Sequence, residues 1–132
     1  MNQILIKEPY DSYAPSIKEA FEYELSFAKN HSKRIDIIVP TLEHGGLLNF
    51  LDVKVWQTLQ KKREFIYQGV KLKFYSTTTA KKINSSDALL ILCVPDNFTE
   101  ILSHINFKKC IVVPRHFRNL KCWRNYQNLM SA

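Results

Sequence analysis

The sequence predicts one α/β domain, a mostly parallel sheet of about five strands with helices on both faces. Apolar runs of strand length alternate with segments of helical periodicity, and the connections between them are short. The strands of the second half are apolar throughout, as strands covered on both faces must be. Right-handed crossovers between parallel strands then distribute the helices over the two faces.

A chain of 132 residues, 45% hydrophobic and 23% charged, has the length and composition of one folded domain, so residues 1–132 are read as a single unit. No run approaches the ~18 apolar residues of a membrane-spanning helix, and the start reads as no signal peptide. A cytoplasmic protein without membrane contact is expected. Cys93, Cys110 and Cys122 are odd in number and lack a short regular spacing, which favours reduced thiols over a disulfide framework.

The elements follow in order. Ile4 to Ile6 is a short first strand. Pro15 fits the first turn of a helix whose core stripe is Ile17, Ala20, Phe21, Leu25 and Ala28. Ile35 to Val39 is a β-branched run stopped by Pro40. A long helix is expected from Leu47 to about Tyr67, with Leu48, Leu51, Val55, Leu59 and Ile66 on one face and Gly69 as its cap. Val70 to Ser76 alternates apolar and basic residues, the period-two pattern of an edge strand with Lys71 and Lys73 on its open face. Thr77 to Thr79 cap a short helix. Ala88 to Val94 is a fully buried strand, and the next helix carries Phe98, Ile101, Leu102 and Ile105. Cys110 to Val113 is the last strand, and a helix from about Phe117 to Met130 follows.

This alternation points to a three-layer Rossmann-like or flavodoxin-like arrangement. The plan resembles small Rossmann-like domains found in nucleotide sensors, nucleotide-processing enzymes and receiver modules, a likeness of shape that assigns no residue.

Three strands end alike, in Val39-Pro40, Val94-Pro95 and Val113-Pro114. Proline has no N–H for the ladder, so each strand stops at a defined place. In a parallel sheet these ends share one edge, where open α/β sheets bind ligands. The loops would deliver Thr41, Glu43, His44, Gly45 and Gly46, then Asp96 and Asn97, then Arg115 and His116. Gly45-Gly46 before a helix lets backbone N–H groups approach an anion. Glu43, His44, Asp96 and His116 are the candidate acids and bases, and Arg115 is a candidate phosphate holder.

No signature of a P-loop, GxSxG elbow, HExxH metal site or CxxC pair occurs, and the interval from Cys110 to Arg115 is one residue short of a phosphate-cradling cysteine loop. Neither a metal nor a cofactor is expected. Charge is unevenly divided: residues 1–60 hold six basic and eight acidic residues, whereas residues 61–132 hold thirteen and four. Arg115, Arg118, Lys121 and Arg124 recur every third residue beside Phe117, Leu120, Trp123 and Tyr126, a basic ridge next to an apolar one.

The expected function is a binding or regulatory domain for a phosphate-bearing ligand, nucleotide or nucleic acid, contacted by Thr41, Gly45, Gly46, Asn97, Arg115, Arg118, Lys121 and Arg124. The alternatives are a nucleotide-processing hydrolase or transferase using Glu43 or Asp96 with His44 or His116, and a protein-interaction module or homodimer anchored by Trp56 and Trp123. The residues alone leave all three standing.

Overall fold

The computed structural model describes residues 3–6, 13–40, 48–94, 98–114, 121, 123 and 124. Six strands form one sheet: β1 (Gln3–Ile6), β2 (Arg34–Val39), β3 (Glu64–Tyr67), β4 (Val70–Ser76), β5 (Ser85–Leu92) and β6 (Asn106–Val113). The α-helices delimited among the described residues are α1 (Tyr13–Lys29), α2 (Val53–Lys62) and α3 (Phe98–Leu102), with a 3-10 turn at Thr79–Lys82; Lys121, Trp123 and Arg124 are also helical. No helix among the described residues is long and apolar enough to cross a membrane.

The strand order is β1-β6-β5-β2-β4-β3. Five neighbouring strands are parallel, and β3 runs antiparallel to β4 at the sheet's end. The expectation of a plain, mostly parallel Rossmann-like or flavodoxin-like sheet of about five strands is therefore corrected to a six-stranded mixed sheet. The physical reason lies in residues 63–67, expected as the last part of the helix that Gly69 would cap. The helix instead stops at Lys62, because Arg63 adopts the left-handed conformation (φ 67°) and its N–H closes onto the Leu59 carbonyl at 2.9 Å. Glu-Phe-Ile-Tyr, with its β-branched and aromatic residues, then pairs with β4 instead of coiling.

Gly69 consequently caps no helix. Gln68 (φ 51°) and Gly69 (φ 79°) are the two central residues of a tight hairpin turn, where both must take positive φ to match the twist of the flanking strands. This moves β4 off the edge predicted for it. Ile66, expected on a buried helix face, lies on β3 and is 69% exposed.

Two apolar layers fill the space on either side of the sheet. The first packs Ile17, Phe21, Leu25 and Ala28 of α1 and Val55 and Leu59 of α2 onto Ile35, Ile37, Leu72, Phe74 and Leu90. The second packs Ala80, Phe98, Leu102 and Trp123 onto Ile38, Leu89, Ile91, Cys110 and Val112. Alternate residues of β2, β5 and β6 thus enter opposite layers, the period-two consequence of a doubly covered strand. Strand β5 begins at Ser85 and β6 at Asn106, both earlier than their apolar cores suggest, since polar residues also join the ladder.

Because a left-handed backbone costs a non-glycine residue about 1–2 kcal/mol, Arg63→Gly is expected to raise stability by about 1 kcal/mol. Urea denaturation followed by circular dichroism measures it, and an unchanged midpoint would show that the cap carries no strain.

Candidate functional site

The carboxyl ends of the five parallel strands lie along one rim. Register fixes this: Ile6 pairs with Val112, Leu92 with Val113, Ile38 with Ile91, and Val39 with Ser76. The strands ending in Val39-Pro40, Val94 and Val113-Pro114 are adjacent there. From β2 the chain continues toward β4 on one side, and from β5 it continues toward β6 on the other. The direction of the connections reverses between β2 and β5, the place at which open α/β sheets characteristically hold ligands.

Described residues at this reversal carry polar and strained features. Thr77 Oγ1 donates to the Pro40 carbonyl at 3.2 Å, tying the loop after β4 to the end of β2. The Ser76 N–H donates to Thr79 Oγ1 at 2.9 Å and the Thr79 N–H to Ser76 Oγ at 3.1 Å, a reciprocal pair that closes the turn between β4 and the 3-10 segment. Cys93 is buried and left-handed (φ 57°), its N–H donating to the Val113 carbonyl at 2.8 Å. Among the described residues it is the one buried non-glycine residue with positive φ; Lys33, Arg63 and Gln68 are in exposed turns. Strain of this kind persists where packing over-determines the backbone, and it collects at binding sites.

Most sequence-derived candidates lie outside the described residues: Thr41, Glu43, His44, Gly45, Gly46, Asp96, Asn97, Arg115, His116 and Arg118. Lys121 and Arg124 are helical and exposed, while Trp123 between them is fully buried in the second layer. Trp123 thus packs on the second face of the sheet. Trp123 is unavailable as an interface anchor, and Trp56 is half-buried against the first layer. Among the described residues no group of three His, Cys, Asp or Glu side chains is arranged to hold a metal.

A groove of about 480 Å³ lies elsewhere. Its walls are Ala80, Lys81, Ile83, Glu100, Ile101, His104 and Ile105, between the 3-10 turn and the end of α3. These segments lead into the starts of β5 and β6, so the groove opens away from the strand-end rim.

Two buried carboxylates escaped the sequence reading. Asp36, on β2, is 1% exposed. It accepts from Ser86 Oγ at 2.5 Å and from Arg34 Nε at 3.0 Å, and Arg34 Nη2 also reaches Tyr75 Oη at 3.2 Å. Partial burial alone would lower the Arg34 guanidinium, but the Asp36 hydrogen bond and charge, with Tyr75, leave it raised. Burial and the Asp36 charge likewise raise the Tyr75 phenol. The signal was present in Arg-Ile-Asp-Ile-Ile-Val, since an acid inside a β-branched run needs a partner two residues away on its own face.

Glu24 lies within the helical stripe of Phe21, Leu25 and Ala28 and is fully buried, with neither carboxyl oxygen hydrogen-bonded among the described residues. Lys109, facing α1 from β6, instead donates to Tyr23 Oη at 3.1 Å and rests over the Tyr23 and Phe27 rings. Burial pushes the Glu24 carboxyl up to about 9, opposed by the Lys109 charge. Burial and the Glu24 charge push the Cys110 thiol well above its ordinary value, which makes it a poor nucleophile.

Comparison with protein-family models, curated proteins and solved structures finds no match for the chain.

A raised carboxyl has a definite linkage sign. The folded protein keeps the Glu24 proton up to about pH 9, whereas the unfolded chain releases it near 4.5, so this contribution is full below pH 4.5 and is lost as pH rises. Stability is expected to fall by up to about 1.4 kcal/mol per pH unit across that window. Glu24→Gln, which cannot ionise, should flatten the profile and exceed the parent by a few kcal/mol at pH 8. Parallel profiles from urea titrations at pH 5 to 9 would contradict this assignment.

Proposed function

We propose that the protein is a binding or regulatory domain for a phosphate-bearing ligand, held at the carboxyl rim where the chain reverses between β2 and β5. The reading is carried by that reversal of parallel strands, where Thr77 is tied to Pro40 and Cys93 is held left-handed. The segments that follow these strands in the sequence contain Thr41, Gly45, Gly46, Asn97 and Arg115, residue types that bind phosphate through hydroxyl, backbone N–H, amide and guanidinium donors.

The positive excess of residues 61–132 supports the same ligand class. The chain's net positive charge draws a phosphate ligand before contact, and exposed Lys121 and Arg124 contribute to it. Nucleotide and single-stranded nucleic acid share the recognised chemistry and differ in which cations they need. Cys93 and Cys110, neither in a disulfide, accord with the reducing interior of the cytoplasm.

Titration with common nucleotides and a labelled single-stranded oligonucleotide across a salt series tests the reading. Affinity should fall as salt rises, because each phosphate contact releases counterions. Arg115→Ala is expected to weaken nucleotide binding, and the pair Lys121→Glu and Arg124→Glu to weaken oligonucleotide binding about tenfold at low salt. Absence of binding to either probe at low ionic strength would overturn the proposal.

A further inference from the structure

Strand β3 ends the sheet, and its outer edge is set by the register of the hairpin. The Phe74 N–H donates to the Arg63 carbonyl at 2.8 Å, which makes 63 and 74 a hydrogen-bonded pair. Antiparallel ladders alternate, so Phe65 and Tyr67 also bond inward, and the N–H and C=O groups of Glu64 and Ile66 face outward. Natural edges are ordinarily shielded by proline, by a bulge or by a covering segment. The strand is short, four residues, and exposed charges at Lys61 to Glu64 guard its start, but it carries no proline or bulge and its central outward residue, Ile66, is 69% exposed.

The two faces of this edge differ. Phe65 and Tyr67, half-buried, lie on the face covered by the first apolar layer. On the opposite face Ile66 is beside Lys71 and Glu64 beside Lys73. Exposed Lys61, Lys62 and Arg63 lead directly into the strand. Five cations thus surround one exposed acid, Glu64, whose oxygen lies 3.8 Å from Lys71 Nζ. Two copies of the chain joined through this edge would set the same cations against each other, so the charge favours an acidic segment over self-pairing.

We propose that β3 is a docking edge for an extended acidic segment of a partner protein, which adds to the sheet as a further strand. Its main chain bonds the outward groups of Glu64 and Ile66. Alternate carboxylates meet Lys71 and Lys73 on one face, and the intervening apolar side chains extend the layer of Phe65 and Tyr67 on the other. This surface is separate from the strand-end rim and does not depend on the ligand held there.

A fluorescent peptide of about ten alternating glutamate and valine residues is the probe, read by anisotropy at low and moderate salt. Ile66→Pro removes an outward N–H and breaks no bond to β4, so it should leave the circular dichroism spectrum intact and weaken binding roughly tenfold or more. Ile66→Thr, which keeps strand propensity, should bind nearly as the parent does. The charge pair Lys71→Glu and Lys73→Glu should weaken binding and flatten its salt dependence, and hydrogen exchange should slow at the Glu64 and Ile66 amides when peptide is added. The proposal is overturned if the probe does not bind, if folded Ile66→Pro binds it unchanged, or if a valine-lysine peptide binds equally well. A dimer in sedimentation that Ile66→Pro abolishes would place a second copy at this edge and also overturn it.

Discussion

The structure depends on strand β2 being paired on both sides. Arg34 to Val39 register with Lys71 to Ser76 of β4, and Asp36 to Ile38 register with Leu89 to Ile91 of β5. Without it the sheet separates into a β1-β6-β5 half and a β4-β3 half. Ile35, Ile37 and Val39 project into the first apolar layer and Ile38 into the second, so the strand also joins the two layers. The buried Asp36 is tolerated because Ser86 of β5 and Arg34 satisfy it, and Arg34 in turn reaches Tyr75 of β4. Removing one partner would leave a buried charge uncompensated, which costs far more than the intact network contributes.

From this central strand the chain departs in two directions, and the chemistry follows from that. Helices α1 and α2 cover one face while the 3-10 turn, α3 and Trp123 cover the other. The reversal leaves the ends of β2 and β5 side by side with connections leading apart, and the left-handed Cys93 stands at that point. Its backbone is held by the Val113 carbonyl, so strain there is maintained by the β5-β6 ladder.

The β3-β4 hairpin extends the sheet past the reach of the helices on its second face. Val70, Leu72 and Phe74 are buried beneath α2, whereas Lys71 and Lys73 on the opposite face have no helix above them among the described residues. One strand therefore carries a core side and a polar side, and its neighbour β3 inherits the same division. Glu24 is the opposite case, a carboxyl held inside an apolar layer and kept neutral by burial. Evidently the covering of α1 is worth more to the fold than the desolvation of one acid costs.

The sequence by itself determined the α/β class, the three strands that end in valine, the α1 core stripe and the burial of Cys93 and Cys110. These follow from residue periodicity, which is set by neighbours along the chain. Only the tertiary structure decided the strand order, the conversion of residues 64–67 from helix to edge strand, the pairing of Asp36 with Ser86 and the isolation of Glu24. Each depends on groups distant in sequence: β4 had to offer a ladder before Glu64 to Tyr67 could leave the helix, and β6 had to bring Lys109 to Tyr23 for Glu24 to be left alone. Local pattern states which residues seek cover, and the contacts that provide it are non-local.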